Sequence, residues 1–142
     1  MLTQTTSEAA QSFNWLLNNF VDNTDGVMYA TAVSADGILV AASNGLHRAS
    51  GEQLAAIVAG LTSLARGADR CFDGNGLEQM ILEFGRGHLF VTIMGPGAAL
   101  GVVASKDCEM GLVAYEMQLL VERAGAVLSP AVISEMTNLM TV

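Results

Sequence analysis

Two histidines, two cysteines, six basic and 14 acidic side chains are the groups in this 142-residue chain that could do chemistry. A catalytic base needs a nucleophile or acid within reach and a third group to orient it. His47 stands beside Arg48 in a loop, and His88 opens a strand beside a turn. Neither falls in a nucleophile or metal-ligand motif, so both read as surface or turn histidines. Cys71 and Cys108 form no C-x-x-C pair, so they build neither a disulfide framework nor a structural zinc site. They read as small apolar residues in a reducing setting. Asp73, Asn75 and Glu78 have the oxygens of a calcium loop but not the EF-hand spacing or its helix pair. Lys106, the single lysine, follows no glycine-rich turn, and no phosphate-binding G-x-x-x-x-G-K-[ST] is present. Arg48, Arg66 and Arg86 could act in trans on a phosphate, but nothing distinguishes them from solvated surface charges. No catalytic residue, metal site or cofactor is therefore expected.

With chemistry this sparse, the elements carry the reading. Thr5-x-x-Glu8 has the form of a capping box. Phe13, Leu16, Leu17, Phe20 and Val21 then follow at helical spacing as one apolar stripe. Two strands come next, residues 27–34 and 38–43, joined by the Asp36-Gly37 of a tight hairpin. Ala30 and Ala32 share one face of the first strand, and Val27, Tyr29, Thr31 and Val33 the other. Ser50-x-x-Gln53 predicts a second helix cap, with a helix running to about Arg70. Its large residues Leu54, Ile57, Val58, Leu61 and Leu64, with Ala65 and Ala68, read as the stripe on its own sheet. Its other positions hold Ala55, Ala56, Ala59, Gly60, Thr62 and Ser63, with no charge between Glu52 and Arg66. A helix uncharged nearly all round is buried, and small side chains let another helix approach closely. This face is expected against a second subunit.

Three antiparallel strands come after it, residues 77–84, 88–94 and 98–104, linked by the turns Gly85-Arg86-Gly87 and Gly95-Pro96-Gly97. Glu78 and Glu83 near the ends of the first suit an edge strand. Asp107 is expected to cap a helix over 108–127, with Met110, Val113, Met117, Leu120, Val121, Ala124 and Leu128 as its stripe. Ser129-Pro130 opens a short tail helix carrying Ile133, Met136 and Met140. The fold class is α/β in the sense of an α+β sandwich. Its five-stranded, mostly antiparallel sheet carries helices on both faces, in the order α-β-β-α-β-β-β-α. The expected division is an N-terminal segment and helix start over 1–12, the domain over 13–128 and a helical tail over 129–142.

Hydrophobic residues make up 51% of the chain and charged ones 14%, with a formal charge of -8. The apolar share excludes disorder. The longest uncharged stretch, 87–105, is broken by Gly95-Pro96-Gly97, so no membrane-spanning helix is expected. The first residues have no basic or apolar character of a signal peptide, which suggests a cytoplasmic protein. Scattered arginines and one lysine exclude a phosphate-backbone surface, so neither nucleic acid nor anionic lipid is an expected partner.

Several phrases, in order and spacing, resemble the roadblock family, named for the dynein light chain roadblock, and its actinobacterial branch above all. They are Asn14-Trp15-Leu16-Leu17, Val33-Ser34-Ala35-Asp36-Gly37, Gln53-Leu54-Ala55-Ala56 with Gly60-Leu61, Leu89-Phe90-Val91, and Tyr115-Glu116-Met117 with Val121-Glu122-Arg123. The resemblance implies a roadblock/longin-like fold. It also implies a homodimer in which the helix after the first hairpin packs on its twin and the third strand pairs with its twin. On that basis Ala55, Ala56, Ala59, Gly60, Thr62, Ser63 and Arg66, with Leu77, Gln79, Ile81 and Glu83, are expected to form the dimer interface and partner platform. The implied partner is a small Ras-like GTPase, in a module that also holds a sensor-kinase-like protein. The implied role is a non-enzymatic regulator or scaffold, able to modulate the GTPase without a catalytic site of its own. The alternative is a small-molecule-sensing domain of a signalling complex, with Ala30, Ala32 and Ala41 leaving room for a ligand between helix and sheet.

Overall fold

The computed structural model describes residues 7–95 and 97–141. Its elements are α1 (Glu8–Asn23), β1 (Val27–Ser34), β2 (Leu39–Ala42), α2 (Arg48–Phe72), β3 (Gln79–Phe84), β4 (Gly87–Ile93), β5 (Ala98–Ser105), α3 (Met110–Gly125) and α4 (Pro130–Thr141). The five strands form one sheet in the order β2-β1-β5-β4-β3, and every neighbouring pair is antiparallel. The expected order and edge position hold, with α4 as the tail helix.

The starts of α1, α2 and α3 differ from the expected caps. Thr5 lies outside the described residues; α1 is capped by Ser7, whose Oγ accepts from the Ala10 amide at 3.2 Å. α2 begins at Arg48, so Ser50 lies within its first turn rather than at its cap. The Gly51 amide already donates to the His47 carbonyl at 2.9 Å. α3 begins at Met110 because the Cys108 amide is drawn into a turn with the Ser105 carbonyl, and Asp107 accepts from the Ser105 hydroxyl instead of capping. Ser129 does cap α4, accepting from the Val132 amide at 3.2 Å.

Strand irregularities decide which side chains share a face. Between Ala32 and Val33 the β1–β2 register slips, leaving Val40 and Ala41 together opposite Ala32. A second irregularity, between Val27 and Tyr29, moves Val27 to the Ala30 and Ala32 side, against the expected alternation. A bulge of this kind places two consecutive residues against one and re-aims the side chains beyond it.

One face of the sheet carries Ala30, Ala32, Val40, Ala41, Phe90, Leu100, Val102 and Ala104 under α1, α3 and α4. Phe13, Leu17 and Phe20 of α1 and Val113, Met117, Leu120 and Ala124 of α3 close over it. Each large side chain buried this way contributes about 1.5–3 kcal/mol. Ala30, Ala32 and Ala41 are buried in this cluster, and their small side chains let α1 and α4 approach the sheet. The other face carries Val33, Leu39, Leu89, Val91 and Ala99 under α2. Met136 of α4 is buried in the first cluster, whereas Met140, one turn on, packs on the second. α4 therefore folds over the outer edge of β2, and it ties back to the N-terminus through the Ser7 amide, which donates to Glu135 at 2.9 Å.

Candidate interaction surface

α2 is where residue size misleads. The residues it buries are Gly51, Ala55, Val58 and Thr62, while Ile57 is 47% exposed and Leu64 76% exposed. The stripe thus splits: Val58 faces the sheet, Leu54 and Leu61 are half-buried at its side, and Ile57 and Leu64 point away. The cause is the sheet surface. A Cβ at Gly101 would lie only 3.0 Å from Val58 Cγ2, so α2 sits close over β5, and only small residues fit between. Thr62 returns its hydroxyl hydrogen to the Val58 carbonyl at 2.8 Å, so its polarity is satisfied within the helix.

This redistributes the expected platform. Ala55 and Thr62 are buried against their own sheet and present no side chain outward. Ala59 leans toward the β1–β2 turn, 3.3 Å from a Cβ built at Gly37. Ala56, Gly60 and Ser63 are exposed on α2, and Arg66 is half-buried. Leu77 precedes β3 rather than lying in it, while Gln79, Ile81 and Glu83 are exposed along it. Glu83 is held by Lys106, which also donates to the Phe84 carbonyl. The ammonium lowers the Glu83 carboxyl below its ordinary value, by hydrogen bonding and then by charge.

The outward residues of α2 that size had assigned to the core continue toward β3. Leu54 and Leu61 of α2 and Met80 and Leu82 of the edge strand are half-buried and pack against the same cluster under α2. Ile57 and Leu64 are exposed on α2, and on β3 Phe84 is exposed on the α2 face while Ile81, opposite Phe90, is exposed on the other. The outer flank of α2 and the free edge strand β3 therefore each present large apolar side chains to solvent. Contiguous exposed apolar surface marks an interaction site, and an unpaired edge offers a row of backbone donors and acceptors.

Elsewhere the chemistry stays quiet. His88 is 3% exposed rather than on the surface, with Nδ1 at 3.3 Å from the Ser105 carbonyl and 3.7 Å from Cys108 Sγ. Burial raises the Cys108 thiol above its ordinary value, with the Asp107 charge adding to it, which is the opposite of an activated cysteine. Cys71 is exposed. Among the described residues no cluster of three His, Cys, Asp or Glu side chains has metal-holding geometry. No helix there is long and apolar enough to cross a membrane. Sequence reasoning passed over Arg70, which joins Arg66 in lining a cavity beside the β1–β2 turn; their four-residue spacing on one helix was the available signal.

The Roadblock/LC7 domain model matches residues 13–104. A roadblock/LC7 domain from Streptomyces avermitilis is similar in structure, at 32% identity over 78% of this chain and 92% of that one, with a TM-score of 0.74. Another such structure from that organism has 36% identity over 82% and 98%, with a TM-score of 0.65. MglB of Myxococcus xanthus shares the fold at 17% identity over 89% and 93%, with a TM-score of 0.79. No curated protein matches the chain. The sheet order, the helices on both its faces and these matches agree: the chain belongs to the Roadblock/LC7 family.

Proposed function

We propose that this protein is a homodimeric regulator or scaffold of a small Ras-like GTPase in a bacterial signalling module. It acts in the cytoplasm through nucleotide-state-dependent binding. The observation that carries the reading is the exposure of Ile57 and Leu64 on α2 and of Phe84 on the free strand β3, which we read as one apolar border. A two-fold pairing across that border uses each residue twice, joins β3 to its twin and covers both α2 flanks. Ala56, Gly60 and Ser63, exposed beside the border, extend it as a platform for the GTPase. Family membership supports the same reading, and the structure of MglB with a tetrameric arrangement shares the fold at 17% identity. A sensor-kinase-like protein is a further proposed partner of the module.

Regulation needs no catalytic group here. A protein that binds one nucleotide state tenfold more tightly favours that state by about 1.4 kcal/mol. The test has two parts. Light scattering on the eluting protein reports whether it is a dimer. Calorimetric titration with each small Ras-like GTPase of its own organism, loaded with GDP or a non-hydrolysable GTP analogue, reports the partner and its preferred state. A monomer that binds no GTPase in either state overturns the proposal.

A further inference from the structure

The geometry points to a binding site for a phosphate group, carried by a small molecule, in the cavity between the C-terminal half of α2 and the β1–β2 turn. The cavity measures about 170 Å³. Its walls are Ala59, Ser63, Arg66 and Arg70 on one side and the turn residue Ala35 with Ala98 on the other, and no carboxylate lines it. That space admits a phosphate group.

The charge arrangement is local and unspent. The chain has a formal charge of -8 and only six basic residues. Arg48 is engaged with Glu52 at 3.6 Å, and Lys106 with Glu83. Arg66 and Arg70 have no ion-pair or hydrogen-bond partner among the described residues, yet they stand one turn apart on the same flank and line the same cavity. Two of the three lining hydroxyls are engaged: Thr62 donates to the Val58 carbonyl, and Ser34 is held by Asp36 and the Ile38 carbonyl. Asp36, the carboxylate of the turn itself, is thereby held by Ser34.

Two guanidinium forks one helical turn apart suit a tetrahedral oxyanion, which offers separate oxygens to each. A carboxylate would be satisfied by one fork alone. On a strongly acidic protein, general anion attraction is absent, so saturable phosphate binding requires a built site. The cavity is lined by the flank of α2 that carries Ala59 and by the turn, and not by Ile57 or Leu64. The site is thus separate from the Ile57, Leu64 and β3 pairing of the proposed dimer, and it shares only Ser63 with the proposed platform.

The test tracks backbone amide spectra of the full chain during titration with inorganic phosphate, and separately with glycerol 3-phosphate, at constant ionic strength balanced by chloride. The expected result is saturable shifts confined to residues 34–35, 59–70 and 98–99. Affinity should fall at least tenfold in both Arg66→Gln and Arg70→Gln and stay unchanged in Arg86→Gln. Equal affinity for the two ligands means the phosphate alone is read; tighter binding of the ester means the organic part is read as well. Leu64→Glu should alter the molecular mass in solution and leave the phosphate shifts intact, which separates this site from the dimer reading. Absence of saturable shifts overturns the inference, as do shifts that survive both arginine substitutions, the result for an adventitious ion only. A change of mass in the arginine variants without phosphate binding also overturns it, because a second copy then fills the cavity.

Discussion

Gly101→Ala tests how closely α2 is seated on the sheet. The added methyl would lie 3.0 Å from Thr31 Oγ1 and 3.0 Å from Val58 Cγ2, short of the roughly 3.5–4.0 Å of a relaxed carbon contact. Neither neighbour yields easily. Both are fully buried, and Thr31 is tied by its hydroxyl to the Gly101 carbonyl at 3.2 Å. Overpacking of this kind costs about 1–3 kcal/mol, against a gain of about 0.5–1 kcal/mol from replacing glycine in a strand. The net expectation is a loss of about 0.5–2 kcal/mol, or roughly 2–8 °C in Tm for a chain of this size. Val58→Ala alone should cost about 2 kcal/mol through lost burial and a small cavity. Together the two changes should cost about 1 kcal/mol less than their sum, because one removes the methyl the other strikes. Urea unfolding monitored by circular dichroism at one fixed protein concentration measures all four corners of the cycle. Additive costs, or a Gly101→Ala variant more stable than the parent, would refute the close seating and with it the reason for the outward Leu64.

Leu64→Glu should convert a dimer to a folded monomer with little change in helix content, since this side chain is already exposed in the protomer; a dimer of unchanged mass would move the interface elsewhere. Met136→Ala should cost about 2–5 kcal/mol through a cavity under α4, and a urea midpoint within error of the parent would mean the tail is not docked. Lys106 lowers the Glu83 carboxyl below its ordinary 4.5, so the pair's stabilisation is complete above that value and fades as pH falls through the lower folded value. Glu83→Gln should therefore flatten the acid side of the stability profile slightly, and a profile parallel to the parent's would contradict the pairing. Cys71 should alkylate several-fold faster than Cys108 near neutral pH, because exposure favours the first and burial raises the second; mass spectrometry of partially labelled protein showing Cys108 modified first would contradict that order.

The strands were readable because alternation and turn residues are local signals. Residues 27–34 matched β1, and the Asp36-Gly37 turn lies where the two strands meet. The helix faces were not readable, because the deciding residue is remote. Val58 and Gly101 are far apart in the chain, and only their contact reveals why Ala55 turns inward and Leu64 outward. Large apolar residues on a helix fit either a core or an interface, so periodicity alone assigned Ile57 and Leu64 to the wrong side. Val27 changed faces through an irregularity that leaves no mark in the residue pattern. Arg66 was visible as a charge, but its pairing with Arg70 over one cavity required the β1–β2 turn and the start of β5 to be brought beside the helix.

The wrapping of α4 over β2 has a consequence for how many chains can join. A sheet with two bare edges can add a strand at either end and keep growing, which is the geometry of fibres. Here one edge is closed by α4, with Met136 on one face and Met140 on the other, and the opposite edge, β3, is open. The sheet therefore has a valence of one for edge pairing. Two such chains joined at β3 present a closed edge at both ends, so growth by strand addition stops at a pair, and any larger assembly has to be built through helix faces instead.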